Sequence, residues 1–407
     1  MSELKKYKLG ELGSFFGGVT SIKKEDYGHG TPFLPYKNVY KNSKVKINEL
    51  ELMNVRPLDL ERRSAKYGDI FFTASSETPD EVAMSSVLLD EVENLTFNGF
   101  CKRFRLKDFN TLLPEYARYL FRDISFRNEV YQRATGDIRF NISQESLANI
   151  EIEIPDTATQ KQIAQILNSL DDKIELNLQM NQTLEAMAQT IFKEWFVNFN
   201  FPGFDGELVD GLPKGWRMGK LGECVTIKRG GSPRPIQEFL AKKGLRWLKI
   251  SDVTSLQTPF ILETKEYIKE EGLSKTTLLK SGSLVLSNSA TPGIPKILHV
   301  DSCIHDGWLH FPNSIFSNEF LYLKFLELRR ELVQKANGSI FTNLKTDIVR
   351  DFDIIIPGEN ILTEFDNVMK PIFKKLLENT LQIKALIQTR DTLLPKLMSG
   401  NIAVMNA

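Results

Sequence analysis

The sequence predicts an α+β protein: two repeated, β-rich mixed domains separated by a long antiparallel two-helix coiled coil, with pseudo-twofold symmetry. Three observations predict it. First, the segment ATGDIRFNISQESLANIEIEIP from Ala134 aligns without gaps on ANGSIFTNLKTDIVRDFDIIIP from Ala336, an offset of 202 residues. The identical pairs are Ala134/Ala336, Gly136/Gly338, Ile138/Ile340, Asn141/Asn343, Ile152/Ile354, Ile154/Ile356 and Pro155/Pro357. That is seven in 22 positions, against roughly one in sixteen expected from ordinary composition. Second, each copy ends in a proline followed by a stretch with apolar residues at heptad spacing. Third, 407 residues with 42% hydrophobic and 10% aromatic side chains exceed one ordinary core and are too apolar for a disordered chain.

The elements follow in order. Lys8-Leu9-Gly10-Glu11-Leu12-Gly13 resembles Arg217-Met218-Gly219-Lys220-Leu221-Gly222. TPFLPYKNV (31–39) resembles LRWLKISDV (245–253), and Tyr67-Gly68-Asp69-Ile70 resembles Ser281-Gly282-Ser283-Leu284. Short β-like runs are expected at IFFT (70–73), SLVL (283–286) and the alternating IEIEI (150–154), between Gly and Pro turns. Helical stretches are expected near 115–132 and 318–335. Each repeat then runs into a long helix. The first seam reads Ile163, Leu167, Leu170, Ile174, Asn177, Asn181, Leu184, Ala188, Ile191 and Trp195. Adding 202 gives Phe365, Met369, Ile372, Leu376, Asn379, Ile383, Leu386, Arg390, Leu393 and Leu397. One such helix cannot bury its stripe; two can bury each other's. Asn177 and Asn379 are expected to meet near the pseudo-dyad and fix the register; the alternative is that both face solvent. The domain division is 1–155, helix 156–200, 201–357, helix 358–399 and a tail 400–407.

Charge excludes one class and motifs exclude others. Lys+Arg and Asp+Glu are both 52, so this is no polybasic nucleic-acid binder, although a local basic face remains open. No P-loop, G-x-S-x-G elbow, H-E-x-x-H or Asn-Pro-Pro-aromatic run is present. His299, Cys303, His305 and His310 match no common zinc spacing, and no metal site is expected. Three distant cysteines suggest a reducing compartment, and no stretch has the apolar length of a membrane span. A soluble cytoplasmic protein is expected, and a non-catalytic one.

With its duplicated layout, the chain resembles the specificity (S) subunits of type I restriction-modification enzymes. The helix endings IFKEWFVNF (191–199) and LLPKLMSG (393–400) carry the resemblance. It implies that domains 1–155 and 201–357 are target-recognition domains, each reading half of a bipartite, non-palindromic site in double-stranded DNA. It implies that the helices set the unread spacer and dock two methyltransferase subunits, joined by restriction (translocase-nuclease) subunits. S-adenosylmethionine, ATP and Mg²⁺ would belong to those partners, with no cofactor in this chain. The rival readings are a protein–protein adaptor with no DNA role and a stand-alone nuclease with an unrecognised site.

Residues 1–155 carry 22 basic and 23 acidic side chains, and 201–355 carry 21 and 18, so DNA contacts must come from local patches. In the first domain these are Lys37, Asn38 and Lys41, then Lys102, Arg103 and Arg105, and Arg139 with Asn141. In the second they are Lys228, Arg229, Ser232 and Arg234, then Lys249, Ser251 and Asp252, then Lys296, and Thr342 with Asn343. Lys and Arg neutralise phosphates, while Arg, Asn and Ser can form hydrogen bonds with base edges. The alternative for each is a solvated surface side chain. The loops after Gly136 and Gly338 are the leading base-contact elements. Segment 287–296 either cradles backbone or is a surface loop. Phe192, Trp195, Phe196, Phe199 and Phe201 pack the first helix end against the second domain, or offer a stacking platform. Leu176, Leu178 and Met180 are partner-interface residues, or pack internally.

Overall fold

A computed structural model describes residues 4–20, 22–336, 343–402 and 404. The chain forms two compact units, Met1–Lys173 with Ala385–Ala407, and Ile174–Lys384. The division falls inside both long helices, not at their ends, because each helix contributes side chains to both cores.

Much of the topology is built twice, with more strands in the second unit's sheets. In the first unit Lys5–Lys8 pairs antiparallel with Glu151–Ile154, and in the second Arg217–Lys220 pairs with Asp353–Ile356. The alternation expected at 150–154 is visible: Ile152 and Ile154 are buried while Glu151 and Glu153 are exposed. A single helical turn follows each first strand. It is closed by Glu11 and Glu223, which accept from the backbone N–H of Lys8 and Lys220 at 2.8 and 2.7 Å. The first unit's main sheet runs Gly13–Gly17, Cys101–Leu106, Ile70–Thr73, Ser85–Val87. Its counterpart runs Val225–Arg229, Trp308–Ser314, Leu284–Ser287, Pro295–Leu298, Phe260–Ile261. The strand expected at 283–286 thus starts one residue later. In a second sheet of each unit one strand pairs parallel with a later one: Tyr27–Leu34 with Thr96–Phe97, and Leu245–Leu248 with Ser302–Ile304. Gly68 and Gly282 enter matched strands at φ 83° and 89°, a left-handed turn that glycine adopts without a Cβ penalty.

The helical stretch expected at 115–132 is two helices, Pro114–Leu120 and Ile124–Arg133. Asp123 interrupts it, its carboxylate capping the second helix by accepting from the Ser125 N–H at 3.0 Å. The equivalent stretch is one helix, Asn318–Ala336.

The long helices are Thr157–Phe196 and Glu359–Met398, 40 residues each. Every seam residue named above is buried or half-buried. Within the second unit the helices are antiparallel: Asn177 meets Gln382, Asn181 meets Thr380, and Phe196 meets Phe365. Within the first unit Asp171 meets Arg390, while Leu393, Leu394 and Leu397 join the core around Ile163 and Leu167. Asn177 and Asn379 do not bond each other, nor do they face solvent; both are 1% exposed. Asn177 Nδ2 donates to Gln382 Oε1 at 2.8 Å, and Asn379 Nδ2 to Asn181 Oδ1 at 3.0 Å. A helical turn advances a contact by three or four residues, so each asparagine meets the polar residue nearest its own level. Phe192 and Phe196 sit in the second core with Trp216, Phe320 and Phe365, and Phe201 stacks on Trp216 at 5.0 Å. They are packing residues, not a stacking platform.

Candidate nucleic-acid interface

In the first unit, residues 134–141 fold as a hairpin. Thr135 and Asn141 exchange backbone hydrogen bonds at 3.0 and 2.8 Å, and Gly136 takes φ 140°. Phe140–Asn141 pairs with Ser75–Ser76, which fixes the tip beside the main sheet. Asp137, Ile138 and Arg139 are exposed there, Ile138 at 90%. Asn141 is exposed as well, and its side-chain amide donates to the Arg139 carbonyl at 3.1 Å, which shapes the loop. Arg139 borders a cavity of about 300 Å³ with Tyr36, Tyr40, Ser75, Ser76, Glu77, Glu81 and Phe100. The two tyrosines belong to the short helix Tyr36–Lys41, which also carries exposed Lys37 and Lys41. The fold therefore brings Arg139 together with this helix.

Three expected contacts are corrected by burial. Asn38 is 1% exposed and closes a loop, its amide nitrogen donating to the Lys46 carbonyl at 2.8 Å and its oxygen accepting from the Lys46 N–H at 3.1 Å. Arg103 is 2% exposed, donates to the Ser64 carbonyl, and lies 4.6 and 5.7 Å from the Phe16 and Phe97 ring centres. Burial pushes its pKa down to about 10. Lys296 is 6% exposed and donates to the carbonyls of Leu256, at 2.9 Å, and Thr258. Arg105 is committed in part: Nε and Nη2 grip the Asp69 carboxylate at 2.7 and 2.6 Å. Its neighbour Lys102 is half-buried.

In the second unit, Ser232, Arg234, Lys249 and Ser251 converge on a cavity of about 580 Å³ whose apolar lining includes Trp247 and Ile250. Much of the charge is balanced locally. Asp306 accepts from Ser232 at 2.6 Å and lies 3.7 and 3.3 Å from Arg229 and Arg234. The Ser232 hydroxyl, ahead of the Arg229 charge, holds the Asp306 carboxyl below the usual range. Lys249 pairs with Glu266 at 2.6 Å, and Asp252 caps the Lys249 N–H at 2.9 Å. Lys228 is exposed on Val225–Arg229, and Asn343 is half-buried. Thr342 and the loop after Gly338 lie outside the described residues. Cys303 and His310 stand in different sheets, and among the described residues no three His, Cys, Asp or Glu side chains group to hold a metal ion.

On the central helix, Leu176 and Leu178 are exposed and Met180 is half-buried. Two residues along a helix turn by about 200°, so Leu178 faces away from Leu176 and Met180 and the three make no single patch. Sequence reasoning missed Tyr36, Tyr40, Glu81 and Phe100. The spacing of Tyr36 and Tyr40, one turn apart on a helix, was a signal; Glu81 had none, being 41 residues from the tyrosine it meets.

Two copies of one mixed module, each with a cavity edged by cationic and hydroxyl side chains and each running into a 40-residue helix, define a duplicated recognition protein. The family model of the type I restriction modification DNA specificity domain matches residues 1–186 and again 213–389, and the chain belongs to that family, the specificity subunits of type I restriction-modification systems. It is 25% identical to the type I restriction enzyme MjaIX specificity subunit of Methanocaldococcus jannaschii, over 98% of this chain and 93% of that one. It is 27% identical to the HindI specificity subunit of Haemophilus influenzae, over 99% of this chain and 100% of the relative. The crystal structure of the type I restriction-modification system S subunit from M. genitalium shares the fold, with a TM-score of 0.66 at 15% identity over 100% of this chain and 97% of that one.

Proposed function

We propose that each unit reads one half of a bipartite, non-palindromic site in double-stranded DNA, and that the long helices set the unread spacer and dock two methyltransferase subunits. Restriction subunits join that assembly. The chain is non-catalytic; S-adenosylmethionine, ATP and Mg²⁺ serve its partners. The observation that carries this reading is the duplication itself: a cavity with cationic and hydroxyl side chains on its border recurs in both modules of a chain with no net charge. Near-neutral readers grip DNA through local patches, and their base contacts decide where they stop. Among the described residues no helix is long and apolar enough to cross a membrane, which suits work on DNA in the cytoplasm.

The test is sequencing of methylated bases in a host carrying this subunit and its partner genes. Two defined half-sites at a fixed spacing are expected. Arg139→Ala should relax base preference in one half-site only, by about 1–3 kcal/mol. An even loss over all sequences would make Arg139 a phosphate contact.

A further inference from the structure

The two cavities occupy matching positions in the two repeats. The parallel pairing sets Phe33 against Thr96 in the first unit and Trp247 against Cys303 in the second. Counting on three residues from each brings Tyr36 and Ile250 to their cavities. Gly68 and Gly282 open the matched strands, and seven residues on from each stand Ser75 and Ser289, again one per cavity. Two wall positions, one on each matched element, are shared while the chemistry differs. The first cavity has a tyrosine pair, 6.2 Å apart and within 14° of parallel, around carboxylates. The second has tryptophan, isoleucine and cations. Two readers of unlike half-sites need that combination: one framework and a different lining.

Glu81 is the most prepared group in the first cavity. Its Oε1 accepts from the Tyr40 hydroxyl at 2.5 Å and its Oε2 from the Ser76 hydroxyl at 3.1 Å. Both partners are neutral, so the negative charge remains, and the Tyr40 hydrogen bond holds the carboxyl below its usual range. A carboxylate has about four lone-pair positions, so two hydrogen bonds leave acceptor capacity. On a surface that meets phosphates such a group is repulsive unless it faces a donor. In the major groove the cytosine edge presents only the N4 amino donor, while guanine presents O6 and N7 acceptors. Adenine places its N7 acceptor beside N6, which repels a carboxylate. Arg139 on the border of the same cavity supplies the donors that a guanine needs.

We infer that the recurrent cavity is the base-reading element of each unit, and that in the first unit Glu81 accepts from cytosine N4 while Arg139 donates to the paired guanine. This rests on the reading of each unit as a half-site reader. Tyr40 and Ser76 are positioning residues for the carboxylate.

The experiment uses the full chain assembled with its methyltransferase subunits and S-adenosylmethionine, acting on duplexes randomised across both half-sites. Methylated products are sequenced. With Glu81→Gln, preference for cytosine at one position of one half-site should fall roughly tenfold, because the new amide adds a donor where only acceptors fitted. The second half-site, read by the same chain, should stay unchanged and reports that the protein is folded. Tyr40→Phe should weaken the same position in the same direction without adding a donor. If Glu81→Gln abolishes methylation altogether, Tyr40→Phe decides by the same criterion. An unchanged motif, an even loss at every position, or a change at a position that is not cytosine would overturn the assignment. A wild-type assembly that methylates no bipartite site would overturn the half-site reading itself.

Discussion

Lys296 shows how burial reassigns a residue. It closes a polar, turn-rich run that reads as a cradle for DNA backbone or a surface loop, yet its strand, Pro295–Leu298, is buried along its whole length inside the main sheet of the second unit. Burial, partly offset by the charge of Glu185, lowers its pKa from 10.5 to about 8. Between those values the unfolded chain holds a proton that the folded chain does not, so stability should rise with pH from about 8 to about 10.5. Below that window both states are protonated and the buried charge costs stability. The unfolding midpoint of the wild type should therefore rise relative to that of Lys296→Met between pH 7.5 and pH 10; a difference that does not change with pH would refute the burial. Arg103 teaches the same lesson, since a basic residue in an alternating strand is exposed only if its face is, and here that face packs on Phe16 and Phe97.

Between the long helices the polar layer is the informative feature. Asn177 with Gln382, and Asn379 with Asn181 and nearby Thr380, form a hydrogen-bonded step in a mostly apolar seam. Removing Asn379 leaves the Oδ1 of half-buried Asn181 without its donor. Asn379→Leu should therefore destabilise the second unit by about 1–3 kcal/mol, while Asn181→Leu combined with Asn379→Leu should recover much of that loss. A double-mutant cycle in urea measures it, and a coupling energy near zero would remove the register role. The heptad pattern placed these asparagines in the seam correctly. It did not identify their partners, because register depends on how two side-chain rows interlock.

At the scale of the whole molecule, the helices are proposed to act as a ruler. Inserting one heptad into each, at matching levels, lengthens the pair by about 10 Å, equivalent to about 3 bp of B-DNA. The methylated site should gain about that many unread base pairs while both half-sites keep their sequence. Unchanged spacing would reject the ruler and leave the readers untouched.

The sequence by itself determined the duplication, the two long helices and their seam. These are one-dimensional signals: an offset of 202 residues, a period near 3.5, and prolines where strands pass into helices. It also marked a loop after Gly136, although not that the loop folds as a hairpin. Only the tertiary structure decided which cations are already spent. Asp69 and Asp306 draw in arginines 36 or more residues away along the chain, and no local pattern announces such a pairing. The cavity of Tyr40, Glu81 and Arg139 likewise exists because sheet pairing joins distant segments, through Phe140–Asn141 on Ser75–Ser76. Periodicity reports which face of an element is apolar; only packing brings particular polar side chains from different elements to the same place.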